Sequence, residues 1–431
     1  MATGFSSSAT VVATLADLYE KANTDVKTGI KLITEEAKWF RSYPKEKITV
    51  SGNENRIPLI LTQPTGLAMI PDGGNEAIMS TPAPTRGTFM PVQMNARYGF
   101  TGLAQALTNR ARSAMIEEQV DYQSAMTIAK FSRGIGLQTY GQSTGTVAVV
   151  AVTNGAGATQ TDIQLKNAFG TTAIPGNTST VQKTYISSLI RPGEKVALIR
   201  AAAIVEFGTV IASPAVSFGV GAVDITFTSS ITPTLGDLLV FANADGDSTI
   251  AGTDVNNWAI GFAEILFATS LHGVSGAAGQ FPAWNPGSAQ TTVQRMSFQV
   301  KEKMINDIWN AAGVKMDTMI VSQGVRRDAI AGERGARRYD SKEDVDLEGD
   351  LGGFKYLTSQ LAPPGFAIGW YGKALAKIEL SDQPEDGGGK SIFKLDKVQG
   401  KSQMAAAYDY FYQKVCSSRA ATGYASNLTE S

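Results

Sequence analysis

Residues 47–100 read KITVSGNENRIPLILTQPTGLAMIPDGGNEAIMSTPAPTRGTFMPVQMNARYGF. Pro58, Pro64, Pro71, Pro82, Pro84 and Pro91 punctuate the stretch. Each lacks a backbone N–H and clashes with the preceding turn, so helix is excluded. Short apolar runs (Ile57–Leu61, Leu67–Ile70, Phe89–Met94) flank a turn signal at Pro71-Asp72-Gly73-Gly74. The pattern predicts a two-armed β excursion over residues 46–98. Arms of ~15–20 residues at ~3.3 Å per residue reach ~50–65 Å. A lone two-stranded ribbon is marginal in water, so the arm needs something to rest on, and a second subunit is the natural support. Arg56 and Arg86, one on each arm, are the residues chosen for polar contacts there, together with the tip Pro71, Asp72, Gly73 and Gly74.

The neighbouring segments set this excursion in context. Residues 1–45 read as an arm in which Leu15, Leu18, Tyr19 and Ala22 keep helical spacing. Residues 101–133, TGLAQALTNRARSAMIEEQVDYQSAMTIAKFSR, carry Leu103, Leu107, Ala111, Met115, Tyr122, Met126 and Ala129 on one helical face. Neither Pro nor an internal Gly interrupts them, apart from Gly102 at the start, which predicts a rod of ~45 Å. Residues 141–258 turn to Gly, Thr, Ser and Val. TVAVVAVT, KVALIRAA, DITFTSS and DLLVFAN read as short strands of a separate β unit, and residues 155–250 are expected to fold when expressed alone. Helix returns at 291–312, strand at 316–322, and helix again in GVRRDAIAGERGARRYD. Strands alternate with turns from Phe354 to Leu380, and further strands follow at Ser391–Val398 and near Met404–Cys416.

Composition narrows the chemistry. Among 431 residues, 38 basic and 39 acidic side chains give a net charge of -1. That excludes a protein that coats nucleic acid by charge alone. Hydrophobic residues at 43% exclude a disordered chain. One cysteine, Cys416, forms no internal disulfide, and with one histidine, His272, the chain falls short of a four-ligand Cys/His zinc site. His272 reads as a structural histidine and Cys416 as a small residue packed in a strand. No stretch reaches the ~18 apolar residues of a membrane span. The first residues lack the basic start of a signal peptide, so the chain is expected to be cytosolic at synthesis.

Motif-like fragments are better explained as turns. Gly389-Lys390-Ser391 and Gly400-Lys401-Ser402 have Pro384 and Leu395 where a phosphate loop needs glycine. Asn243, Asp245 and Asp247 have the alternate spacing of a calcium loop, but position 254 is Asp where an EF-type loop has its bidentate Glu. They stand as an incomplete metal set beside the simpler reading of a polar turn. Arg326, Arg327, Arg334, Arg337 and Arg338 are interleaved with Asp328, Glu333 and Asp340, which reads as a solvated, ion-paired helix and loop or as a subunit contact. No catalytic or cofactor site is read, and the expectation is a protein that is not an enzyme and carries no cofactor.

Taken in order, the arm, the β excursion, the long helix and the larger mixed part with returning strands resemble the major capsid proteins of tailed bacteriophages, the Hong Kong 97 fold. LQTYGQSTGTVAVVAV (137–152), ISSLIRPGEKVALI (186–199), DITFTSSITPTLGDLLVFAN (224–243), IGFAEILFATSLHGVSGAAGQFPAW (260–284) and MDTMIVSQGVRRDAI (316–330) carry the likeness. The resemblance implies an α+β fold divided into an N-terminal arm (1–45), an extended loop (46–98) and a peripheral domain with its spine helix (99–140). A β-rich insertion (141–258) in an axial domain (259–379), peripheral strands (380–412) and a C-terminal axial segment (413–431) would follow. It implies a viral structural protein that assembles into hexamers and pentamers, forming an icosahedral shell around double-stranded DNA held without sequence specificity. Scaffold and portal proteins would be its partners, with no membrane, and the virion capsid its location after assembly in the bacterial host cytoplasm. Some members of that family cross-link through Lys and Asn, but Lys45, Lys47, Asn53 and Glu54 do not match that pattern. The alternatives are an encapsulin-like cellular compartment, a phage tail or decoration protein, or a carboxylate-based enzyme with a β domain.

Overall fold

The computed structural model describes residues 10–13, 39, 43–44, 55–59, 85–89, 91–101, 133–167, 190, 192–201, 203–212, 222–241, 258–276, 284–292, 294–336, 355–359, 361–379, 396–397 and 403–429. Most of the 101–133 stretch, the tip Pro71–Gly74, the Asn243–Asp247 loop, both Gly-Lys-Ser turns and the 15–22 helical pattern lie outside them. Helices and sheets are both present, so the fold is α+β.

The body is built on a five-stranded mixed sheet, in the order β13 (Ser288–Gln290), β21 (Thr422–Ala425), β17 (Ala367–Trp370), β15 (Thr318–Val321), β16 (Lys355–Thr358). Its central strands are buried on both faces, which is why AIGW and TGYA are apolar or small throughout. Parity divides β15: Met319 and Val321 meet helix α3 (Phe298–Ala312), and Ile320 meets helix α2 (Phe262–Phe267). Helix α3 buries Val300, Met304 and Ile308 at i, i+4 spacing. Ser297 caps its start by accepting the Val300 N–H, and Gly313 ends it at φ 70°. A Cβ at Gly369 on β17 would stand 2.0 Å from Met316 Sδ, so a larger residue there would have to displace that side chain. Helix α4 (Gln323–Ala336) follows β15. Two short parallel strands, β14 (Gln294–Arg295) and β22 (Leu428–Thr429), pair beside this sheet.

A second sheet runs β1 (Thr10–Ala13), β4 (Val92–Thr101), β20 (Gln403–Cys416), β18 (Leu375–Glu379), with β19 (Asp396–Lys397) also on β20. The 14 residues of β20 span ~48 Å. Ten of them pair with β4, from Gln403 opposite Thr101 to Tyr412 opposite Val92, and the last five pair with β18. Two expected features change here. The strand containing Val92–Phe100 belongs to this sheet and not to the β excursion. One strand also runs continuously through position 412. Backbone pairing explains both: β4 pairs with β20 over ten residues, while the excursion pairs with itself.

Residues 146–241 form a closed barrel, in the order β10 (Leu238–Phe241), β5 (Thr146–Val150), β6 (Gly157–Asn167), β9 (Ala222–Ile231), β8 (Ala203–Ala212), β7 (Lys195–Arg200) and back to β10. Closure removes the free edges that short strands would otherwise expose. Val147, Val150, Ile163, Leu165, Val196, Leu198, Val210, Ile225, Phe227 and Leu239 fill it. Arg200 grips Asp237 through two hydrogen bonds of 2.8 and 2.7 Å and donates to the Thr232 carbonyl. Burial would raise the Asp237 carboxyl, but Arg200 and the Thr234 donors outweigh it and hold it below the usual carboxylate range.

The barrel joins the body through a narrow neck. Helix α1 (133–140) leads into Gly141, and the returning chain enters at Trp258. A Cβ on Gly261 would lie 2.3 Å from the Gly141 carbonyl oxygen and 2.4 Å from that of Gln138. Gln138 Nε2 donates to the Ala259 carbonyl, Trp258 N–H to Ser143, and Ser143 N–H to Glu264 at 2.7 Å. Arg133 pairs with Glu194 of the barrel and stands 5.8 Å from the centre of the Phe241 ring.

Candidate assembly interface

The β excursion is a hairpin of β2 (Asn55–Leu59) and β3 (Thr85–Phe89), in register from Asn55 opposite Phe89 to Leu59 opposite Thr85. Among the described residues β2 pairs only with β3. Pro58 is tolerated because an edge strand needs no donor on its outer side. Leu59, Gly87 and Phe89 share one parity and are all buried. They form the foot of the hairpin. Phe89 packs with Ile378 and Val415 of the β18–β20 ribbon. Gly87 leaves room for Leu59, whose Cδ1 would be 2.9 Å from a Cβ at that position. Positions 56 and 86 fall on the opposite parity, Arg56 paired with Thr88 and Arg86 with Pro58. The register therefore brings both arginine positions to one face, diagonal to each other and away from the parity that is buried.

The foot is clasped by a turn that sequence reading treated as plain structure. β11 (Ser270–Leu271) and β12 (Val274–Ser275) are joined by His272 and Gly273 at φ 54° and 76°, a tight turn of the I′ type. The His272 carbonyl accepts the Thr88 N–H at 2.9 Å. Its Nε2 accepts the Cys416 N–H at 3.2 Å. Its ring meets Phe89 edge-on at 6.4 Å. His272 is thus structural, and what it structures is the attachment of the hairpin. The spacing of TSLHGVSG signals a hairpin turn, but no sequence signal points to its partners at 88 and 416.

Other placements complete the surface. Cys416 is fully buried, and burial pushes its thiol up to about 12. Lys414, also buried, donates to Thr139 Oγ1 at 3.0 Å. On α3, Phe298 and Trp309 remain 50% and 47% exposed, three turns apart on one flank, with Lys301 5.2 Å from the first ring and Lys315 4.4 Å from the second. Of the arginine cluster, Arg326 reaches Thr358 Oγ1 at 3.4 Å and Arg327 is exposed, while Arg337 and Arg338 lie outside the described residues. Among the described residues no three His, Cys, Asp or Glu side chains converge as a metal site, and no helix is long and apolar enough to cross a membrane.

No family model matches the chain, and no curated protein matches it. Solved structures do. The chain is similar to the cyanophage A-1(L) capsid asymmetric unit, at 9% identity and TM-score 0.49, over 95% of this chain and 99% of that one. It is similar to the capsid of the native GTA particle at 12% identity and TM-score 0.43, over 94% of each chain. A Gordonia phage Cozz structure matches at 12% identity and TM-score 0.38, over 97% and 96%.

Proposed function

We propose that this chain is a major capsid protein: a structural subunit that assembles with copies of itself into hexamers and pentamers of an icosahedral shell around double-stranded DNA. The observation that carries the reading is the β2–β3 hairpin. Its described buried positions, Leu59, Gly87 and Phe89, rest on the body, it pairs with no other described strand, and 25 residues separate Leu59 from Thr85 in the sequence. A two-stranded ribbon is marginal by itself in water, so a neighbouring subunit would supply its second surface. The long β4–β20 pairing and the mixed sheet give it a rigid mount. Scaffold and portal proteins are the expected assembly partners, with the host cytoplasm as the place of assembly. The near-zero net charge suits a wall that confines DNA through local Lys and Arg contacts. No covalent chemistry is needed, because weak contacts repeated at every interface add up in a closed shell.

Removing Thr65–Ala83 and closing the chain with a Gly-Ser turn tests this. The cut leaves Leu59, Gly87 and Phe89 in place. Circular dichroism is expected to stay near native, while sedimentation shows capsomers or monomers where the full chain gives shells. Normal shells from the shortened chain would refute the role of the hairpin.

A further inference from the structure

The clasp at the hairpin foot is built around a single titratable ring. His272 Nε2 accepts a backbone N–H from Cys416, so the imidazole is neutral and carries its proton on Nδ1. Nδ1 is buried and has no hydrogen-bond partner among the described residues. A second proton would have to sit on Nε2. There it would face the Cys416 N–H, donor against donor, and the bond that ties the turn to β20 would be lost. The resulting cation would have no acceptor at either nitrogen among the described residues. Its named neighbours offer no compensation. From the hairpin come Leu59, Gly87, Thr88 and Phe89, all uncharged. From β20 comes Cys416, whose thiol stays neutral. Three residues further on, Arg419 is itself a cation with its N–H groups turned to carbonyls. The turn supplies Leu271 and Val274.

We propose that His272 is a proton-operated latch: neutral, it holds β3 against β20 through the β11–β12 turn, and protonated, it lets the hairpin foot go. The route out is short, because Gly273 at the apex of the turn is exposed. Once Nε2 no longer ties the turn to β20, the β11–β12 turn is free to move as a unit with its His272 carbonyl, and Thr88 then loses its acceptor. The direction of the pH response follows from burial, which pulls the imidazole from 6.5 down to about 4. The unfolded or opened form therefore binds its proton first. The latch is fully closed above pH ~6.5, and closure weakens about tenfold per pH unit as the pH falls towards ~4. The latch stands on the fold of one chain, so it is independent of whether the hairpin reaches a neighbour.

His272 is the one histidine of the sequence, which makes the test specific. Amide exchange of the full chain is followed from pH 7 to 4, corrected for intrinsic rates, in peptides covering 85–89 and 411–416. Protection at Thr88 and Cys416 is expected to fall about 100-fold in the wild type, with α3 unchanged, and to stay flat in His272→Gln. A flat wild-type profile, or the same fall in His272→Gln, would overturn the latch. If His272→Gln does not fold, nitrogen NMR of the lone imidazole decides. Protonation below pH ~5 in step with the loss of protection supports the latch, and loss of protection while the ring stays neutral overturns it.

Discussion

Replacing Arg419 with Met should cost this protein more than any surface change. Arg419 is 2% exposed and begins the 3-10 turn Arg419–Ala421 between β20 and β21. Its Nε donates to the Ile265 carbonyl at 2.5 Å, Nη2 to Ala268 at 2.6 Å and Nη1 to Trp284 at 3.3 Å. Two of those carbonyls end helix α2, where no intrahelical donor is left for them. Burial pulls the guanidinium below its usual value, but it has no neutral alternative in the working pH range. Met keeps the length and removes the three donors. Each buried acceptor left bare costs ~1–3 kcal/mol, partly offset because the cation no longer pays desolvation. The net expectation is a loss of ~3–5 kcal/mol. Lys, which reaches one carbonyl, should recover about a third of it. Urea unfolding followed by near-ultraviolet circular dichroism, which senses the buried Trp284 and Trp370, gives the comparison. A Met variant within ~1 kcal/mol of wild type would show that water or a shifted backbone satisfies these carbonyls as well as Arg419 does.

Four other outcomes are expected. Gly261→Ala should lose at least ~3 kcal/mol in the same assay, since two backbone oxygens must move by nearly an ångström and the neck hydrogen bonds move with them; a neutral change would mean the neck is looser than its contacts imply. A fragment of residues 143–258 should be β-rich and protected in amide exchange, whereas 155–250 should not, because it lacks β5, the strand that closes the barrel between β10 and β6. Asp237→Asn should lower the stability of the barrel near neutral pH. The Asp237 carboxyl lies below its usual value, so its contribution is present above pH ~4 and is lost as the pH falls through the folded value, a dependence that the Asn variant should lack. Cys416 should resist thiol reagents at pH 8 in the folded chain and react at once in urea; labelling of the folded protein would contradict its burial.

Legibility in the sequence followed the range of the interaction. Strands set by local alternation were readable: TVAVVAVT, KVALIRAA, DITFTSS and DLLVFAN coincide with β5, β7, β9 and β10. So was α3, whose Met296–Ala311 periodicity appears as a capped helix, and so was the pairing of the two arms at 55–59 and 85–89. What could not be read is where distant segments meet. Nothing in VQMNARYGF shows that it would pair with residues 403–412 and leave the excursion, because an apolar strand carries no mark of its partner. The bounds 155–250 leave out β5 for the same reason: closure of a barrel depends on pairing at a distance, and β5 differs little in composition from the strands around it. Charge and spacing also mislead where burial decides. Lys301, Lys377, Lys414 and Arg419 are cations by type, yet each is buried at 4% exposure or less. His272 is the sharpest instance. As a residue in TSLHGVSG it looks like one end of a loop. In the fold, its carbonyl, its Nε2 and its ring face point to Thr88, Cys416 and Phe89, residues 184, 144 and 183 positions away in this numbering. A residue tied to β3 by its carbonyl and its ring packing, and to β20 by its Nε2, has one arrangement that satisfies all three contacts, and that arrangement requires the ring to be neutral. The pH sensitivity of the hairpin is therefore a property of the contact and not of the histidine, which is why sequence reading alone had no means of finding it.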